Sequence, residues 1–141
     1  MIEFFIPFEV KPKQGDRSAV VNGHVRHYQP KKVTSNANAL VLLSKQYRPT
    51  APLVGPLRLE LMFYSAWRKA DSKKVRAAGK AWHDTKPDWD NMCKQLCDVL
   101  QSAGFYANDS QLADISVKKL RTDSPGVFVR LGVISGNGDG I

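Results

Sequence analysis

The sequence predicts an α+β domain in the order strand, helix, strand, helix, strand, strand, with two helices packed on a mixed or antiparallel sheet. Three patterns predict it. Residues 33–47 carry apolar side chains at helical spacing. In residues 57–64, Leu57, Leu59, Leu61 and Phe63 alternate with Arg58, Glu60, Met62 and Tyr64. Two more alternating runs follow one another at 115–133 with only a turn between them. At 141 residues, 43% hydrophobic and 24% charged, the chain reads as one soluble domain large enough to bury a real core.

The elements follow in chain order. Ile2, Phe4 and Ile6 alternate with Glu3 and Phe5 until Pro7, which predicts a short strand. Residues 9–32 have little periodicity and many breakers, among them Pro12, Gly15, Asn22-Gly23 and Pro30. His24–Tyr28 reads as the far arm of a small hairpin about Asn22-Gly23. Val33, Ala37, Leu40, Val41, Ser44 and Tyr47 form one apolar helical stripe, with Thr34 or Ser35 as its cap and Pro49 and Pro52 as its stop. After the turn at Gly55-Pro56, Leu57, Leu59, Leu61 and Phe63 mark the clearest strand. A second helix follows Asp90, with Met92, Leu96, Val99, Leu100 and Ala103 on its apolar side and Gly104 as its left-handed stop. The runs 115–120 and 127–133 read as an antiparallel hairpin about the turn 123–126. Residues 1–134 make the domain, and the glycine-rich 135–141 reads as a flexible tail.

Charge narrows the function. The 21 Lys and Arg against 13 Asp and Glu give a net charge of +8, as expected of a protein that meets a polyanion. The cations gather in two loops. One spans 9–32, with Lys11, Lys13, Arg17, Arg26, Lys31 and Lys32 against Glu9 and Asp16, and with Tyr28 available for stacking. By composition it suits a DNA-contacting loop and a solvated surface loop equally. The other spans 65–87, with Arg68, Lys69, Lys73, Lys74, Arg76, Lys80 and Lys86 against Asp71 and Asp84, and with Trp67 and Trp82 in the same segment. A plain connection does not need seven cations, so this segment favours DNA contact. No stretch has the form of a signal peptide or reaches the length of a membrane helix, so the expected compartment is the cytoplasm. Cys93 and Cys97 lie one helical turn apart. No second pair completes a zinc site, because His24, His27 and His83 are scattered.

Between the basic loops and the C-terminal strands lies an acidic constellation. Asp88 and Asp90 alternate ahead of the second helix, Lys94 follows on its first turn, and Asp109 comes soon after its end. In an extended segment Asp88 and Asp90 would point the same way, about 7 Å apart. The modest alternative makes Asp90 or Asn91 a helix cap, Asp88 a surface residue and Asp90–Lys94 an ordinary surface pair. A cap explains one carboxylate and not three. If Asp88, Asp90 and Asp109 converge, hard oxygen donors without His or Cys suit Mg²⁺, with Mn²⁺ able to substitute. Lys94 would then balance the carboxylates or stabilise charge building on a phosphate.

The spacing Asp88-x-Asp90-Asn91-x-x-Lys94-x-x-x-Asp98-x-Leu100-x-x-x-Gly104-x-x-x-x-Asp109-x-Gln111 resembles the RusA family of Holliday-junction resolvases, found largely in bacteria and their prophages. Lys11-Pro12-Lys13 and Tyr28-Gln29-Pro30-Lys31-Lys32 resemble the family's basic loop. The resemblance implies a RusA-like fold and a metal-dependent endonuclease that resolves four-way DNA junctions as a homodimer, in recombination and repair. It implies Asp88, Asp90 and Asp109 as catalytic carboxylates and Lys94 as the catalytic lysine. Two departures stand out. Asn108 replaces the first of two aspartates that many members carry, and the 65–87 insert is longer than in compact members. Asp98 is left as a helix-face residue. The competing expectation is a non-catalytic DNA-binding or regulatory module of prophage origin, which would leave the acidic residues without a purpose.

Overall fold

The structure is a computed structural model that describes residues 1–12, 17–28 and 31–136, with side chains described throughout except at 17–21, 25–28 and 31–34. A five-stranded mixed sheet forms the centre. Its strands are β1 (Ile2–Ile6), β4 (Leu57–Ala66), β5 (Lys80–Trp82), β6 (Leu112–Thr122) and β7 (Gly126–Val133), in the spatial order β1-β7-β4-β6-β5. Strands β2 (Arg17–Val21) and β3 (His24–Tyr28) form a separate hairpin. Its turn carries Asn22 and Gly23 at φ 51° and 77°, the left-handed pair that the Asn-Gly dipeptide predicts. Three helices complete the fold: α1 (Lys31–Ser44), α2 (Lys73–Ala77) and α3 (Trp89–Ala103).

The helix and strand patterns place the core. Leu57, Leu59, Leu61 and Phe63 are buried along one face of β4, facing Val127, Val129 and Leu131 of β7 across the ladder. Helix α1 contributes Leu40. Helix α3 contributes Met92, Leu96, Val99, Leu100 and Ala103, with Cys93 and Cys97 at its border. Phe4 stacks on Tyr47 at 4.7 Å and on Phe105 at 5.5 Å, closing one end. Helix α1 begins at Lys31, ahead of the expected caps Thr34 and Ser35, because the apolar stripe marks a buried face and not a first turn. Gly104, at φ 96°, ends α3 as its position predicts, its N–H and that of Phe105 bonding back to Gln101 and Leu100.

The expected C-terminal hairpin does not form. Strands β6 and β7 run antiparallel, but β4 lies between them, parallel to β6 and antiparallel to β7. The three-residue link from Thr122 to Gly126 can span the roughly 10 Å between second-neighbour strands. Strand β4 is long and buries Leu57, Leu59, Leu61 and Phe63, and the slot gives it ladder partners on both edges. Its parallel pairing with β6 needs a long crossover, which α3 supplies.

The 65–87 insert also departs from the expectation of a loop. It holds α2, capped by Ser72, and β5, which pairs with the edge of β6. Asp71 anchors it. That side chain is buried against Arg121 of β6 at 3.1 Å and accepts from the Arg68 N–H at 2.7 Å. Its carboxyl is held below the usual aspartate value first by the Arg68 backbone N–H, against the opposing effect of burial, and then by the Arg68 and Arg121 guanidinium groups. A depressed value means that the anchor is at full strength above the ordinary pKa of 3.8 and is lost as pH falls through the lower folded value. Asp71→Asn is expected to loosen the insert, with trypsin cutting after Lys73, Lys74 or Arg76 faster than in wild type. Unchanged digestion would show that the insert is held by other contacts.

Candidate active site

The acidic stretch becomes a site because the start of α3 and the turn after its end lie along one side of the sheet's crossover. The local geometry at the start differs from the expected extended pair. Helix α3 begins at Trp89, so Asp88 is its N-cap residue, extended at φ −69° and ψ 146°, and Asp90 lies within the first turn. The Asp88 side chain makes no capping hydrogen bond. The two carboxylates therefore straddle a helix start and do not alternate along a strand. The reason is the Lys86-Pro87 step just upstream. Proline has no N–H with which to continue a ladder, so an extended run stops there. A carboxylate in the first turn also suits the positive end of the helix dipole.

Asp109 opens a 3-10 turn, Asp109–Gln111, held from three sides. Asn108 accepts from the Ser110 N–H at 2.8 Å, and its own N–H reaches the Gln111 side chain at 3.2 Å, a capping box. Gln101 of α3 accepts from the Asp109 N–H at 2.9 Å. Gln111 donates to the carbonyls of Leu53 and Gly55 at 3.0 and 3.1 Å. Asn108 thus has a structural task that its amide oxygen performs as a carboxylate would, and Gln111 ties the turn to the chain before β4.

Three shallow depressions run side by side along this edge. The first, about 550 Å³, is lined by Glu9 to Pro12, Lys86 to Asp88 and Asn91. Buried Asn36 of α1 shapes it, donating to the Glu9 carbonyl and accepting from the Lys11 N–H, both at 2.8 Å. The second, about 700 Å³, is lined by His83 to Lys86, Asp88 to Asp90 and Lys119. The third, about 530 Å³, takes in Trp89, Asp90, Lys94, Asp98 and Asp109 over an apolar floor that includes Cys93, Cys97, Leu112 and Ile115. Asp88 borders the first two, Asp90 the last two, and Asp109 with Lys94 the third. Asp88, Asp90, Lys94 and Asp109 are all exposed. Among the described residues no Asp90–Lys94 pair forms within 4 Å, and no three His, Cys, Asp or Glu side chains are gathered as a ligand set for one ion.

Two residues that no local pattern singled out belong to this edge. Lys119 of β6 reaches into the second depression, its ammonium donating to the Thr85 carbonyl at 2.7 Å. Burial pushes its pKa down, while Asp88 and then Asp84 push it up. The one signal in the sequence is a lysine in phase with Ile115 and Val117 on one strand face. His83 lines the same depression. Burial is the main cause of its lowered pKa, with Lys119 adding to it, which keeps the ring neutral at pH 7. The Cys93 and Cys97 sulfurs sit 3.8 Å apart. Their mutual hydrogen bond and burial push the Cys97 thiol far up, so it stays protonated.

The cations divide by what they touch. Arg68 pairs with Asp71, and Arg76 donates to the carbonyls of Asp71 and Arg68, so both are committed to the insert's own structure. Lys69, Lys73, Lys74, Lys80 and Lys86 are exposed. Lys11 pairs with Glu9 at 3.0 Å beside the first depression. Arg17 and Arg26 lie on β2 and β3, and Lys31 and Lys32 open α1. Lys13 lies outside the described residues, as does most of the expected tail.

The family model described as endodeoxyribonuclease RusA matches residues 7–132. The chain belongs to the RusA family. The match covers every strand of the sheet except β1 and the last residue of β7, and every residue of the acidic edge. The chain is 29% identical over 139 residues to the uncharacterized protein YqaN of Bacillus subtilis (strain 168), covering 95% of this chain and 97% of that protein. It is 26% identical over 76 residues to the crossover junction endodeoxyribonuclease rusA of Lactococcus phage r1t, about half of each chain at 54% and 53%. Among the described residues no helix is long and apolar enough to cross a membrane.

Proposed function

We propose that this RusA-family chain is a Mg²⁺-dependent endonuclease that resolves four-way DNA junctions by paired, symmetric nicks, in DNA recombination and repair. The observation that carries the reading is the continuity of the acidic edge. Asp88 and Asp90 join three depressions into one track, with Lys11 and Lys86 at one end and Asp109 and Lys94 at the other. A phosphodiester lying along such a track meets cations that hold it and carboxylates that act on it.

The donor set fits a hard divalent cation. Mg²⁺ keeps several waters and needs only one or two carboxylates besides its substrate, so a preassembled set of three is not required. Asp90 and Asp109 would hold it from the third depression, with Asp88 on the opposite side of Asp90. Bound there, the ion would supply Lewis acidity and a water of lowered pKa. The chain's own residues do the rest. Lys94 offers a positive charge beside Asp109 for charge that builds on the phosphate. The Asn108–Gln111 capping box and the Gln101 contact hold Asp109 in register with α3. The exposed lysines of the insert extend the hold on the backbone. A four-way junction must be cut on two opposed strands, and a two-fold homodimer would present two identical edges to it.

A synthetic four-way junction and its matched duplex, each incubated with the protein with and without Mg²⁺, test the reading. The expected result is a pair of symmetric nicks in the junction alone, dependent on Mg²⁺. Equal cutting of plain duplex would reduce the protein to a general nuclease. Tight, salt-sensitive binding without cutting would favour the regulatory module.

A further inference from the structure

We infer that Lys119 contacts the phosphodiester backbone of the DNA substrate in the depression bordered by Asp88 and Asp90. The inference rests on the reading of this edge as a DNA-cutting site, and it adds a residue on the side of Asp90 away from Lys94.

The geometry carries it. Lys119 is fixed at both ends. Its main-chain carbonyl accepts from the His83 N–H at 3.0 Å, and its ammonium donates to the Thr85 carbonyl at 2.7 Å. An ammonium has three donors, and the Thr85 bond uses one. Among the described residues no carboxylate pairs with it within 4 Å. Asp88 and Asp84 are near enough to influence it by charge but not to satisfy it. It is therefore anchored and half-buried at the wall of an open depression, with two ammonium donors left for solvent or a ligand. The tie to the Thr85 carbonyl orders the side chain at a cost in entropy and sets its ammonium at the wall of the depression. A non-bridging phosphate oxygen is the acceptor that matches, being anionic and a strong partner for N–H donors. With Lys94 in the neighbouring depression, DNA lying along the track would meet a lysine on either side of Asp90.

The competing role is a staple that only holds residues 83–86 against β6. Lys119→Gln separates the two, because a side-chain amide can still donate to the Thr85 carbonyl but carries no charge. The experiment measures binding of a four-way junction over a range of salt, in EDTA, for wild type, Lys119→Gln and Lys119→Arg. Removing one phosphate-neutralising cation should flatten the log–log salt slope by about 0.9 per subunit. The expected result is a flatter slope and weaker binding for Lys119→Gln, with the wild-type slope kept by Lys119→Arg. The slope does not depend on the fraction of folded protein, since a constant inactive fraction displaces every affinity equally. A wild-type slope for Lys119→Gln overturns the inference. If wild type binds junctions without ever cutting them while Lys119→Gln flattens the slope, the nuclease reading fails and the phosphate contact stands.

Discussion

Asp90→Asn is expected to slow junction cleavage by about 10³-fold or more while binding is kept or strengthened. Among the described residues, Asp90 is the one carboxylate that borders both the Asp88–Lys119 depression and the Asp109–Lys94 depression. Replacing it by an isosteric amide leaves the helix start and both grooves in shape, so the effect is one of charge. If the edge holds a divalent cation as proposed, losing an anionic oxygen there removes several kcal/mol of transition-state stabilisation, and about 4 kcal/mol is a factor of 10³. Binding moves the other way, because a carboxylate beside a phosphate repels it. Asp88→Asn and Asp109→Asn are also expected to abolish cleavage, although each borders only one side of Asp90. Single-turnover cleavage and gel-shift measurements on one junction check all three variants. Wild-type cleavage by Asp90→Asn would remove that residue from the chemistry.

Leu96→Ala should lower stability by about 2–5 kcal/mol, or roughly 6–15 °C in Tm for a domain of this size. Leu96 is completely buried in the middle of α3, on the side that faces the sheet. Truncation removes apolar area from the core and leaves a cavity that the well-packed neighbours only partly refill. Leu96 touches none of the three depressions. At a temperature where the variant is still folded, its cleavage rate should stay near that of wild type. A thermal melt followed by circular dichroism, paired with a cleavage assay at low temperature, checks both halves. A Tm within about 2 °C of wild type would mean that α3 is held by contacts other than its apolar stripe.

The fold was legible wherever a local period reports a buried face. The stripe from Val33 to Tyr47 marks α1 and the 3-10 turn Lys45–Tyr47 that follows it, the alternation from Leu57 to Phe63 marks β4, and Gly104 marks the end of α3. The motif from Asp88 to Gln111 was legible for the same reason, since its residues are neighbours along the chain. Other features depend on partners far away in sequence. Alternation at 115–133 showed two strands but not that β4 lies between them, because periodicity names a strand's faces and not its neighbours. The insert's helix and strand were hidden by its lysines. They stand because Asp71 meets Arg121, fifty positions away, and because the edge of β6 offers a ladder.

The apolar faces of α1, α3 and β4, the basic balance, and the family pattern of Asp88, Asp90, Lys94 and Asp109 can all be read from the chain alone. These follow from short-range periodicity and side-chain chemistry. Tertiary structure decided the strand order, the division of the acidic residues among adjoining depressions, and the presence of Lys119 beside Asp88. Those depend on which distant segments come together when β4 takes partners on both edges, and no local pattern encodes that choice.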